Sequence, residues 1–138
     1  MSDQAPAQEQ ATILLYSNDR TVRDAVRSAL GRRVAADLPL VEVIECATQK
    51  AAIAVLDEKR IDLCIFDGEA TPAGGLGLCR QIKDEIVNCP PVLVLVGRIQ
   101  DAWLATWSRA EGVMPHPIDP IKLPGKAADL LRGRLASG

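Results

Sequence analysis

The sequence predicts an α/β fold, a five-stranded doubly wound parallel sheet with helices on both faces. Three observations carry that prediction. Short apolar runs rich in β-branched residues alternate with longer segments of helical periodicity, five times in succession, which is the pattern of repeated βα units. The run at residues 61–66 is almost wholly apolar, as a strand covered on both faces must be. The length, 138 residues with 48% hydrophobic composition, matches one domain with one core.

Each element follows in order. The polar stretch of residues 1–10 is expected to be a disordered tail, ahead of a single domain over residues 11–136. Residues 13–17 form the first strand. Asn18 or Asp19 then offers an N-cap for a helix to about Gly31, with Val22, Val26 and Leu30 on one face. Residues 40–46 make the second strand, Thr48 caps a second helix carrying Ile53 and Leu56, and residues 61–66 are the third strand. A loop over residues 67–75, rich in small residues, leads to a third helix from Gly75 to about Val87. Residues 91–96 form the fourth strand, Asp101 opens a fourth helix, and Val113 with Met114 gives a short fifth strand. The last helix, residues 123–135, begins near Pro124, because proline is tolerated in a first turn and costly deeper inside. No internal repeat or linker interrupts this order.

Composition narrows the function classes. Sixteen Lys plus Arg stand against 18 Asp plus Glu, a formal net charge of -2, and no run of like charge makes a basic footprint for nucleic acid. No apolar stretch approaches the roughly 20 residues that span a bilayer, so the chain is expected to stay in the cytoplasm. Cys46, Cys64, Cys79 and Cys89 show no CxxC pairing, and His116 is the one histidine that could complete a zinc site. Four reduced thiols are expected; Cys46 and Cys64 lie in strands, where a free cysteine packs as a small hydrophobe.

A doubly wound sheet carries its functional groups on loops at the carboxyl ends of its strands, around the topological switch point. Those loops hold Ser17, Asn18 and Asp19 after the first strand, Asp67 and Glu69 after the third, Val96 and Gly97 after the fourth, and Pro115-His116-Pro117 after the fifth. They form one convergent cluster. The glycines of GGLG, Gly74, Gly75 and Gly77, lack the G-x-G-x-x-G spacing of a phosphate cradle and read as turn and helix-entry residues.

Three stretches in order, DLCIFDGEATPAGGLGLCRQIK, PPVLVLVGR and HPIDP, resemble the receiver domain of bacterial response regulators over residues 12–136. The resemblance implies a CheY-like, flavodoxin-like fold with strand order 2-1-3-4-5 and no output domain. It implies that Asp67 stands at the position that accepts a phosphoryl group from a histidine kinase. It implies, too, that the surrounding chemistry is degenerate. The family binds Mg²⁺ through an acidic pair after the first strand, and Ser17 and Asn18 occupy those two positions, with Asp19 one place too late. Mg²⁺ needs near-octahedral oxygen ligands, usually including one or two carboxylates, so its binding here should be weak or absent. Glu69 falls where the family uses chiefly a backbone carbonyl, and reads as a solvated loop charge. The family's hydroxyl at the end of the fourth strand is replaced by Val96, which has no donor. Its lysine is replaced by His116, which near pH 7 is mostly neutral, reaches less far and is expected mainly to shape a turn, with a cis peptide before Pro117. Removing one preorganised donor typically costs ~10²- to 10³-fold in rate. Ser17, Asn18 and Asp19 are then expected to serve chiefly as helix caps.

In a chain with two Trp, one Tyr and one Phe, Trp103 and Trp107 are spaced i, i+4 on the fourth helix and share one face. Either they pack on the sheet beside Leu104 or Ala110, or they form a docking face, since tryptophan is enriched at interface hot spots. The resemblance implies the face of helix four, strand five and helix five as the place for a protein partner in trans or for a homodimer. Three functions compete. A pseudo-receiver, not an enzyme, would regulate a partner without phosphorylation. A phosphorylatable single-domain receiver would use Asp67 in a phosphorelay. A flavodoxin-like enzyme or cofactor-binding domain ranks last, because no phosphate loop or nucleophile–base pair is visible.

Overall fold

In the computed structural model, which describes residues 10–70, 74–98, 101 and 103–137, the predicted alternation takes shape as five βα units. They are β1 (Gln10–Tyr16), α1 (Arg20–Leu30), β2 (Leu40–Cys46), α2 (Gln49–Glu58), β3 (Leu63–Asp67), α3 (Gly75–Glu85), β4 (Val92–Val96), α4 (Trp103–Ser108), β5 (Gly112–Pro115) and α5 (Lys122–Ser137). The strands pair in parallel in the order β2-β1-β3-β4-β5. The chain reverses its direction of growth across the sheet between β1 and β3, and the loops after these two strands therefore face each other across a crevice.

Period-two alternation divides the core between the two faces of the sheet. Ala11, Ile13 and Leu15 of β1, Leu63 and Ile65 of β3, and Leu93 and Leu95 of β4 pack with Val26 and Leu30 of α1 and with Leu123, Ala127 and Leu131 of α5. Their sequence neighbours Leu14, Tyr16, Cys64, Phe66, Val92, Val94 and Val96 turn the other way, onto Ala52 of α2 and Leu78, Cys79 and Ile82 of α3. Both faces of β3 and β4 are buried, which is why these strands read as continuous apolar runs. The cysteines are free. Burial pushes the Cys79 thiol up to about 11 and raises Cys64 well above its ordinary value, so both stay protonated.

The element ends differ from the sequence expectation where polar groups bond in ways hydropathy does not register. β1 begins at Gln10, inside the expected tail, because residues 10–12 pair with β2; residues 1–9 lie outside the described residues. β3 begins at Leu63 and includes Asp67, because the buried Asp62 accepts the Thr12 backbone N–H at 2.8 Å with its side chain. α3 stops at Glu85, two residues early, as the chain turns extended at Ile86 and left-handed at Asn88. The expected loop of residues 67–75 includes residues 71–73, which lie outside the described residues.

Local signals hold where they were mechanistic. The Thr48 side chain accepts the Ala51 N–H, and Gly31 closes α1 at φ 62°, a conformation that would strain a side chain. Pro124 lies in the first turn of α5, and Asp119 accepts the N–H groups of Ile121 and Lys122 just before it.

Candidate functional site

The loops after β1, β3, β4 and β5 enclose an open cavity of about 380 Å³ lined by Asn18, Asp19, Val22, Asp67, Glu69, Gly97 and His116. Asp67 forms its floor. The residue is 2% exposed, because it closes a strand buried on both sides. α3 presses directly on this strand end: a Cβ at Gly75 would meet the Asp67 carbonyl oxygen at 2.7 Å, so only glycine admits the approach.

Three donors converge on the Asp67 carboxylate. The Ser17 hydroxyl donates to Oδ2 at 2.7 Å, while His116 Nε2 at 3.0 Å and the Glu69 backbone N–H at 2.9 Å both meet Oδ1. Burial raises the Asp67 pKa, but the hydrogen bonds from His116, Ser17 and the Glu69 amide outweigh it and hold the carboxyl below the usual aspartate value. The same contact acts in reverse on the imidazole. The hydrogen bond to Asp67 raises His116 against the opposing effect of burial, with the charges of Asp67, Glu69 and Asp19 adding to the rise. Both shifts run in the direction that favours a charged Asp67–His116 pair.

The predicted site residues part ways on helix capping. Asp19 is the N-cap of α1, its carboxylate accepting the Thr21 N–H at 2.8 Å. Ser17 is not a cap: it is fully buried, donates to Asp67 and accepts the Asp19 N–H at 3.0 Å. The expectation that His116 chiefly shapes the turn also needs correction. Its peptide bond to Pro117 is cis, as the resemblance implied, yet the imidazole spans the crevice to the carboxylate. The backbone explains this reach, because the His116 N–H donates to the Val96 carbonyl at 2.8 Å and draws the turn in over the end of β4.

Val96 is buried among the apolar residues on the α2–α3 side of the sheet. The Glu69 side chain is exposed and lies over Gly97, where a Cβ would meet Glu69 Oε1 at 2.7 Å. Among the described residues, no group of three or more His, Cys, Asp or Glu is arranged to hold a metal ion.

Sequence reasoning missed two supports of this site. Arg23, one turn into α1, donates to the Ser17 carbonyl at 2.6 Å and pairs with Glu45 of β2 at 3.0 Å, fixing the β1–α1 loop. No local spacing announces this role, because Ser17 and Glu45 both lie outside the helix. Tyr16 is buried beneath the site, edge-on to Phe66 with ring centroids 6.0 Å apart, and burial followed by the Asp67 charge raises its pKa. No sequence signal separates that role from ordinary core.

The two tryptophans are not in the core. Trp103 is 67% exposed and Trp107 48% exposed. Their helix leans on α3: Arg80 Nη1 donates to the Trp107 carbonyl at 2.6 Å, Cys79 Sγ contacts the Ser108 carbonyl at 3.3 Å, and Arg109 pairs with Asp84. The aromatic stripe thus borders α3.

Comparisons with known proteins bear on the family and the fold. The chain is 52% identical over 120 residues to an uncharacterized response regulatory protein of Mycobacterium tuberculosis, found in two strains, covering 87% of this chain and 90% of that protein. Among solved structures, a CheY-like response regulator receiver domain protein from Methanospirillum hungatei superposes with a TM-score of 0.73 at 18% identity, covering 94% of this chain and 99% of the other. The receiver domain of Francisella response regulator 1452 gives 0.76 at 13% identity, covering 89% and 98%. The chemotaxis response regulator CheY4 of Vibrio cholerae gives 0.72 at 18%, covering 88% and 98%. These structural likenesses establish the fold. No family model matches the chain.

Proposed function

Because the chain belongs to the response regulator family and carries its receiver fold, we propose that it is a pseudo-receiver, a signalling module that acts by docking a protein partner without being phosphorylated. One observation carries the reading. The carboxylate at the phospho-acceptor position is already held by its own chain, by the Ser17 hydroxyl on one oxygen and by His116 and the Glu69 amide on the other. Three donors on the two oxygens draw charge from the carboxylate and crowd it, which makes it a poorer nucleophile than an unbonded one.

The residues present do not fit the family's Mg²⁺. Ser17 and Asn18 stand where the acidic pair would be, Asp19 is engaged in capping α1, and the Asp67 oxygens face donors. Where the family has a lysine, His116 here lies 3.0 Å from Asp67, and its contact with that carboxylate favours the protonated imidazole. Val96 offers no hydroxyl to report a phosphoryl group.

Against this stands the phosphorylatable receiver, favoured by the open cavity of about 380 Å³ directly above Asp67. A restoring experiment separates the two. The combined variant Ser17→Asp, Asn18→Asp, Val96→Thr and His116→Lys should gain saturable, Mg²⁺-dependent beryllofluoride binding, read by tryptophan fluorescence, while the natural chain shows none. Saturable binding by the natural chain would return the function to phosphorylation.

A further inference from the structure

The α3–α4 edge exposes an aromatic pair beside an arginine. Trp103 and Trp107 sit one turn apart on the same side of α4, with most of Trp103 and about half of Trp107 open to solvent. An exposed pair of indoles is unusual for a surface with no partner. The Arg80 guanidinium lies over the Trp107 ring, 4.9 Å from its centroid, and one of its nitrogens is tied to the Trp107 carbonyl. The neighbouring cations are neutralised by carboxylates: Lys83 by Glu111, Arg109 by Asp84 and Arg98 by Asp101. Among the described residues Arg80 has no carboxylate partner. Guanidinium presents five N–H donors in a rigid fork, and the contact with the indole together with the bond to the Trp107 carbonyl restrains the Arg80 side chain before any ligand arrives.

Resting on the docking reading above, we propose that this face binds a short helical segment of a partner protein that places an Asp or Glu on Arg80 and bulky apolar side chains on Trp103 and Trp107. Charge complementarity selects the acid: a basic or neutral segment would leave the guanidinium facing an apolar surface or another cation. A helical segment fits the i, i+4 spacing of the rings, because it repeats its own anchors at the same interval. The rings supply contact area and the fork supplies register.

The test is selection of helical peptides displayed on phage against the full chain, followed by titration of the selected peptides. Peptides enriched in Asp or Glu one turn from a Leu, Phe or Trp are expected. Their affinity should fall about tenfold or more in each of Trp103→Ala and Arg80→Met, and stay unchanged in Arg20→Gln, which removes a charge from exposed α1. Thermal melting of each variant guards against misfolding, and for any variant that melts early Trp103→Ser and Arg80→Gln replace it. Binders on this face without acidic enrichment, or indifferent to Arg80→Met, would overturn the acidic segment while leaving docking intact. A concentration-dependent dimer abolished by Trp103→Ala would assign the face to a second copy and overturn it likewise. No binder on this face, together with phosphorylation of Asp67 by acetyl phosphate, would overturn both this inference and the docking reading.

Discussion

Asp62 and Asp67 bracket the same strand, one just before β3 and one at its end, and both are almost wholly buried. Each accepts a backbone N–H and a cationic side chain: Thr12 and Arg60 at Asp62, Glu69 and His116 at Asp67. Burial and pairing therefore do not tell a structural carboxylate from a functional one. The ends of the sheet do. Asp67 opens into the crevice where the loops after β1 and β3 diverge, whereas Asp62 stitches the start of β3 to β1. Asp67 is thus bonded within the chain much as Asp62 is, although it lies at the opposite end of the strand.

The largest effect should come from breaking the stitch. Asp62→Ala leaves the Thr12 N–H without its acceptor beside a buried strand, and should cost about 2 to 3 kcal/mol in urea unfolding. Asp67→Asn should cost less, about 1 kcal/mol, because an amide oxygen still accepts from Ser17 or the Glu69 N–H and the part-exposed His116 can shed its proton. Equal losses at the two sites would erase the contrast.

A pH series sharpens it. His116 is raised in the folded chain, so its contribution is fully present below the ordinary histidine value of about 6.5 and is lost as pH rises through the elevated one. Asp67 is lowered, so its contribution is present above about pH 4 and is lost as pH falls through the depressed value. The stability gap between the natural chain and His116→Gln should therefore be greatest between about pH 4 and 6.5, at roughly 1 kcal/mol, and shrink in alkali. A gap that widens with rising pH would contradict the ion pair. The smallest effect is expected from Mg²⁺: calorimetry should detect no sub-millimolar binding, and affinity in that range would show that the carboxylates can regroup around a metal.

Much of this molecule was legible from its residues. The five βα units, the Thr48 cap and the convergence of four loops follow from periodicity and turn chemistry, which are local, while the strand order came from the family resemblance. What escaped was pairwise and long-range. Ser17 and Asp67 are 50 positions apart, and neutral imidazole chemistry was assigned to His116 without its partner in view. A titrating side chain takes its charge from its neighbours, and those are set by the fold. The tryptophans were ambiguous for a similar reason: i, i+4 spacing defines a stripe without saying whether it faces the sheet, and the bonds from α3 to α4 decide that.

The most direct test of the central claim, that the carboxylate is satisfied from within and takes no phosphoryl group, is the intact mass of the natural chain after incubation with acetyl phosphate and Mg²⁺. The account predicts a single unmodified species, with the Ser17→Asp, Asn18→Asp, Val96→Thr, His116→Lys variant phosphorylated under the same conditions. A natural chain that gains one phosphoryl group, lost again in Asp67→Asn, would contradict it.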